Sequence, residues 1–88
     1  MAAPAHESHP AIATRLKRAA GHLNTVIAMI EGGRSCLDLA QQLHAVEAAV
    51  AAAKKALIHD HIDHCLAHAL DAGGAVSIDE FKEITKYL

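Results

Sequence analysis

Large aromatic side chains are scarce in this sequence. It has no tryptophan, one phenylalanine and one tyrosine among 88 residues, and much of its 52% hydrophobic content is alanine. Chains of this length lie near the lower limit at which a single core supports a stable fold. We therefore expect a thin core that is completed by association with further copies of the same chain.

Export signals, membrane spans and a strong net charge are also missing. The first ten residues lack the apolar core of a signal peptide, and no segment approaches the ~20 apolar residues of a membrane span. The net charge of −2 provides no overall field that would attract nucleic acid. With two widely separated cysteines, we expect reduced thiols, a cytoplasmic location and no membrane partner.

Hydrophobic spacing predicts an all-α fold with three helices per chain. Apolar residues recur three and four positions apart over about 10–31. A heptad-like stripe runs through about 36–72 without a glycine or proline. Glycine pairs at 32–33 and 73–74 end these two helices, and a short third helix is expected over about 78–88.

Two short motifs mark the beginnings of the second and third helices. Ser35 with Asp38 and Ser77 with Glu80 both resemble capping boxes, in which the serine hydroxyl accepts a backbone hydrogen bond. Residues 1–9 are interpreted as a flexible tail that carries histidines. Residues 10–88 are interpreted as a single helical domain.

Two cysteines and one histidine share a face of the long helix. His61 and Cys65 lie 25 and 29 residues beyond Cys36, so both side chains point within about 20° of its direction. Along the axis, however, Cys36 lies on the order of 37 Å from His61. One helix cannot close these residues around an ion, whereas two antiparallel copies can. The alanine-rich run 48–53 lies where such helices would cross.

The chemistry of these three residues favours a soft metal ion. His61 and Cys65 are an i, i+4 pair that can supply two ligands from one helical face. With Cys36 of a second chain, they would suit Cu(I), Zn(II) or Ni(II) and disfavour Mg(II) or Ca(II). A fourth ligand from His6 or His9 would fit square-planar Ni(II) or tetrahedral Zn(II). The alternative interpretation is that the cysteines are small buried hydrophobic residues.

The remaining histidines and the basic residues carry weaker signals. His59 and His68 are interpreted as surface residues, His64 stays open as a ligand, and His22 and His44 are interpreted as ordinary helix residues. Charge clusters on helices are usually solvated faces. The candidate DNA contacts are nevertheless Arg15, Lys17, Arg18, Lys54 and Lys55.

Several motifs together resemble the CsoR/RcnR family of metal-responsive bacterial transcriptional repressors. The resemblance runs from about His9 to Leu70. The residues that carry it are Arg15-Leu-Lys-Arg18-Ala-Ala-Gly21-His22, Cys36, Gln41-Gln42 and His61-x-x-x-Cys65. The resemblance implies an antiparallel four-helix-bundle dimer that assembles into a disc-like tetramer and lacks a helix-turn-helix.

The resemblance also implies residue roles. Cys36 of one protomer, with His61 and Cys65 of another, would bind a ligand that weakens binding to operator DNA. Basic residues at the positions of Arg15 and Arg18 are implicated in DNA contact in the family.

The resemblance extends to several sensor classes. Copper sensors share the cysteine–histidine–cysteine pattern. Some have a tyrosine where this chain has Ser35, and their glutamate in the last helix aligns with Phe81, next to Glu80. The histidine-bearing tail and the 60–65 segment resemble nickel and cobalt sensors. Persulfide sensors lack a histidine matching His61, and formaldehyde sensors have an N-terminal proline that is absent at position 2.

We therefore expect a cytoplasmic repressor, and not an enzyme, that controls metal efflux or resistance genes. It would leave operator DNA when Ni(II) or Cu(I) binds, with Zn(II) as a further option; no organic substrate is expected. The alternatives are a thiol-based sensor of persulfide or formaldehyde and a metal-binding helical bundle that does not bind DNA.

Overall fold

A computed structural model describes the backbone of residues 9–72 and 78–88 and the side chains of 9–64 and 79–88. It contains α1 (His9–Glu31), α2 (Cys36–Ala72) and α3 (Ile78–Thr85). Because the described residues contain three helices and no strand, the expected all-α fold is confirmed. In the same residues, we find no helix long and apolar enough to span a membrane. The expected tail through residue 8 and the capping residue Ser77 lie outside this description.

Backbone hydrogen bonds close the turn between α1 and α2. The N–H of Arg34 donates to the carbonyl of Met29, and the N–H of Gly33 donates to the carbonyl of Ile30, both at 3.1 Å. This pattern is the Schellman motif, which needs a left-handed residue just after the helix. Gly33 is this left-handed residue, with a φ of 79°. The conformation costs glycine little because glycine has no Cβ. The chain thus reverses and starts α2 within a few residues.

A serine side chain fixes the beginning of α2. The Oγ of Ser35 accepts a hydrogen bond from the backbone N–H of Asp38 at 3.2 Å, which confirms the serine half of the expected capping box. The Asp38 carboxylate lies 3.6 Å from the guanidinium of Arg34. The cap places Cys36 at the first position of the helix.

The two long helices pack through one half of each apolar stripe. The buried residues are Ile12, Ala19 and Val26 on α1 and Val46, Ala53 and Ile58 on α2. Those on α1 are spaced seven apart, as in the seam of a coiled coil. Most of these side chains are small, so the core within one chain is as thin as the composition predicts.

The other half of each stripe stays exposed. Its residues are Leu16, Leu23, Ile27 and Ile30 on α1 and Leu43, Val50 and Leu57 on α2, each with 38–52% of its surface exposed. We call this surface the open face. The molecule is only 13 Å thick in its shortest dimension, which is about one layer of helices. A single layer cannot cover both sides of its helices.

The ends of two helices differ slightly from expectation. The helix α1 begins at His9 rather than 10, with Pro10 in its first turn. The helix α3, which packs against α2, ends at Thr85 rather than 88. The N–H groups of Lys86, Tyr87 and Leu88 donate to carbonyls three residues earlier, so the chain tightens there and no longer continues the α-helix.

Candidate metal centre and basic cavity

The helix α3 places a carboxylate beside His61. The Nε2 of His61 lies 3.3 Å from Oε1 of Glu80, and the histidine side chain is 23% exposed. The expected resemblance to copper sensors matches their glutamate to Phe81, but the structure brings the adjacent Glu80 to the histidine. Phe81 is half-buried instead. Consecutive helical residues point about 100° apart, so Glu80 and Phe81 occupy different positions around α3.

The other candidate ligands lie at separate places on α2. Cys36 is exposed at its first position, about 37 Å along the axis from His61. Cys65 lies one turn beyond His61 in the same helix, and its side chain is outside the described residues, as is the whole of His6. Among the described side chains, no three histidine, cysteine, aspartate or glutamate groups converge on a metal site.

Cys36 and His61 lie at opposite ends of the open face. The sequence positions of Cys36, Leu43, Val50 and Leu57 are seven apart, and His61 follows four positions later. Residues at these intervals lie along one side of a helix. The apolar surface that one chain leaves uncovered therefore has a sulfur donor at one end and a nitrogen donor at the other.

Four further histidines have defined surroundings. His59 and His64 are exposed. His44 is exposed as well, and its Nδ1 lies 3.8 Å from a carboxylate oxygen of Glu47. His22 is half-buried and lies at a cavity between α1 and α2. The side chain of His68 lies outside the described residues.

Two of the candidate DNA-contacting residues line this cavity. The cavity measures about 260 Å³, and its lining residues are Arg15, Arg18, Ala19, His22 and Ala49. We call it the basic cavity. Its α1 residues lie at positions 15, 18, 19 and 22, which is the i, i+3, i+4, i+7 spacing of residues that share one side of a helix.

The three candidate lysines lie elsewhere. Lys17, Lys54 and Lys55 are exposed and do not line the basic cavity. The structure therefore brings the two arginines together at the basic cavity and leaves the lysines outside its lining.

A side-chain hydrogen bond connects the two long helices beside the basic cavity. The Nε2 of His22 and Oε1 of Gln42 are 2.6 Å apart in a partly buried position. Because an amide oxygen can only accept, Nε2 carries the proton and donates. The sequence favours an ordinary helix position for His22, and the structure adds this contact. In the sequence, the seven-residue interval from Arg15 to His22 was the signal that could have predicted that the two residues share a helix face.

Comparison with known proteins adds a family assignment. A family model described as metal-sensitive transcriptional repressor matches residues 8–87. Two similar proteins are named copper-sensing transcriptional repressor CsoR. The one from Bacillus subtilis is 39% identical over 80 residues, which cover 85% of this chain and 79% of the relative. The one from Mycobacterium ulcerans is 38% identical over 74 residues, which cover 83% of this chain.

The lengths of these proteins differ. This chain spans 63% of the length of the Mycobacterium ulcerans relative. A copper-sensing transcriptional repressor named RicR, from Mycobacterium tuberculosis, is 34% identical over 62 residues, which cover 70% of this chain and 65% of that protein. No solved structure matches the chain significantly.

Proposed function

Because the chain belongs to the metal-sensitive transcriptional repressor family, we propose that it represses metal efflux or resistance genes and leaves operator DNA when Cu(I) binds. The observation that carries this proposal is the position of Cys36 and His61 at opposite ends of the open face. The names of the relatives from Bacillus subtilis and Mycobacterium ulcerans support copper.

The open face is proposed to be covered by a second copy of the chain. In an antiparallel arrangement, the α2 helices cross near Val50, and Cys36 of each chain approaches the His61 end of the other. Burying seven large apolar side chains per chain at 38–52% residual exposure supplies the hydrophobic driving force that a thin core lacks. The resulting four-helix dimer contains two metal sites, and two dimers are proposed to form the tetramer.

The donor set fits Cu(I). Cys36 of one chain with His61 and Cys65 of the other offers two sulfurs and one nitrogen, and soft sulfur ligands favour Cu(I). The exposed thiol of Cys36 is accessible to a second chain. Ni(II) would need a fourth ligand, for which His6 is the candidate outside the described residues. Copper is therefore proposed ahead of nickel and zinc.

Glu80 is proposed to select the metal-binding nitrogen of His61. A neutral imidazole whose Nε2–H points to a carboxylate carries its lone pair on Nδ1. The 3.3 Å separation between Nε2 and Glu80 therefore favours Nδ1 as the ligand atom. Carboxylate partners of this kind orient metal-binding histidines and raise their basicity.

The contact between His61 and Glu80 links the metal site to the position of α3. Bound metal favours the arrangement in which His61 keeps its contact with Glu80, and thereby one packing of α3 against α2. A ligand shifts such an equilibrium only through its different affinities for the two arrangements. A ratio of about 100 corresponds to about 2.7 kcal/mol of coupling to DNA binding.

DNA is proposed to contact the basic surface of the assembly. The proposed contacts are Arg15, Lys17, Arg18, Lys54 and Lys55, of which the two arginines line the basic cavity. The chain is proposed to act by binding in the cytoplasm rather than by catalysis, since the relatives are named as repressors.

A DNA-binding titration tests the proposal. Duplexes selected from a random library would be labelled and titrated with the protein without oxygen, with and without Cu(I). We expect Cu(I) to raise the dissociation constant about 100-fold. The variant Cys36→Ala should keep its DNA affinity and lose this response. Parallel titrations with Ni(II) test whether nickel, rather than copper, releases the protein from DNA.

The matched control is Leu37→Ala, which truncates the neighbouring exposed residue and should respond to Cu(I) as the unchanged protein does. Full Cu(I) response in Cys36→Ala would refute the assigned site. A response to Ni(II) alone would refute copper. Absence of any selected duplex would refute the repressor function.

A further inference from the structure

The basic cavity has the chemistry of an anion site. Two guanidinium groups, from Arg15 and Arg18, share its lining with the imidazole of His22. No carboxylate is among the described residues that line it. The remaining lining comes from Ala19 and Ala49, whose short side chains leave the space open. Guanidinium forks bind phosphate oxygens through paired N–H groups.

Gln42 determines how His22 can take part. The Nε2–H of His22 is directed to the Gln42 oxygen at 2.6 Å, so a neutral ring offers only the acceptor Nδ1 elsewhere. A protonated ring keeps the bond to Gln42 and gains a second N–H at Nδ1. Among the described residues that line the cavity, α2 contributes the uncharged Ala49, and the charges come from Arg15 and Arg18 on α1. An anion between these cations would offset their mutual repulsion.

We propose that the basic cavity binds one phosphate group of the DNA backbone and that protonated His22 is its third cationic contact. This proposal rests on the proposed function as a DNA-binding protein. Histidine side chains change charge between about pH 5 and 8. The affinity for DNA should therefore rise on acidification, and this rise should be lost when His22 is replaced.

The test compares three full-length proteins. They are the unchanged chain, His22→Gln and His44→Gln. Glutamine at position 22 keeps a hydrogen-bond donor for Gln42 but cannot become charged. His44 is 82% exposed on α2 and does not line the basic cavity, so its substitution is the matched control. The probe is a fluorescein-labelled random-sequence duplex, because phosphate contacts do not depend on sequence.

Anisotropy titrations over a range of salt concentrations give the expected signature. Between about pH 8 and pH 6, the unchanged chain should gain roughly 1.5- to 5-fold in affinity per contacting chain. Because the charged ring joins a phosphate that the two arginines already contact, the number of phosphate contacts, and with it the slope of log K against log salt, should stay the same. His44→Gln should show the gain in affinity, and His22→Gln should not. If His22→Gln retains the gain, the proposal is refuted although DNA binding stands.

Titration with inorganic phosphate separates the cavity from the DNA function. At about pH 6, nuclear magnetic resonance should show a saturable shift of the His22 ring signals in the unchanged chain. The shift should persist in His44→Gln. Phosphate binding without any binding of the duplex would refute both the DNA assignment and the proposed function. No phosphate-dependent shift would overturn the anion site itself.

Discussion

Replacement of Val50 by glutamate is expected to separate the dimer and abolish Cu(I) binding. Val50 lies in the middle of the open face, seven residues from both Leu43 and Leu57, and is 45% exposed. In the proposed dimer, the two α2 helices cross here, so each Val50 lies near its own copy. In the dimer, glutamate at this position therefore brings two carboxylates, one from each chain, close together at the crossing.

The magnitude follows from the residual exposure. Full burial of a valine or leucine side chain contributes about 1.5–3 kcal/mol. Burying the remaining 45% in both copies therefore contributes about 1.4–2.7 kcal/mol. Two carboxylates about 6 Å apart repel by about 2.8 kcal/mol at an effective dielectric constant near 20. Together these effects should raise the dimer dissociation constant by roughly a thousandfold to ten-thousandfold.

Sedimentation equilibrium and anaerobic Cu(I) titration measure the two consequences. The control is Ala48→Glu, because Ala48 is exposed and points about 160° away from Val50 around the helix. This control should associate and bind Cu(I) as the unchanged chain does. A Val50→Glu protein that remains dimeric at micromolar concentration, or binds Cu(I) normally as a monomer, would refute the reasoning.

Three further predictions concern individual contacts. Glu80→Gln should lower Cu(I) affinity about 10- to 100-fold, because the amide supports the His61 ring less well than a carboxylate; an unchanged affinity in a chelator competition would contradict this. Gly33→Ala should lower the free energy of unfolding by about 1 kcal/mol, because alanine is strained at the positive φ of 79°. Gly21→Ala should raise the free energy of unfolding by about 0.5–1 kcal/mol, because there is open space where its Cβ would lie. Equal effects of the two substitutions in urea denaturation would refute the distinction. Ser35→Ala should cost about 1 kcal/mol through loss of the cap, and no loss in the same assay would show that the cap contributes little.

The helices could be predicted from sequence because local signals agree with one another. The apolar spacing, the glycine pair after α1 and the serine before α2 each act within a few residues. The structure realises them through the left-handed Gly33 and the Ser35 cap. These features need no knowledge of the tertiary fold.

Three other features depended on packing between helices. Leu16 and Ala19 both fit the apolar stripe of α1, but only Ala19 is buried, because one layer of helices buries half of each stripe. The contact of Glu80 with His61 depends on the rotation of α3 against α2, and matching sequence positions alone does not give this rotation. The hydrogen bond from His22 to Gln42 likewise joins residues 20 positions apart.

The most direct measurement of the shared metal site mixes two defective chains. Cys36→Ala retains His61 and Cys65, and His61→Ala retains Cys36, so neither variant alone can form a complete site. Each should bind Cu(I) weakly, whereas refolding them together should restore about a quarter of the tight sites, since half of random dimers are mixed and each then holds one complete site of two. Recovery of no tight sites from a mixture shown to contain mixed dimers would contradict a centre built from two chains.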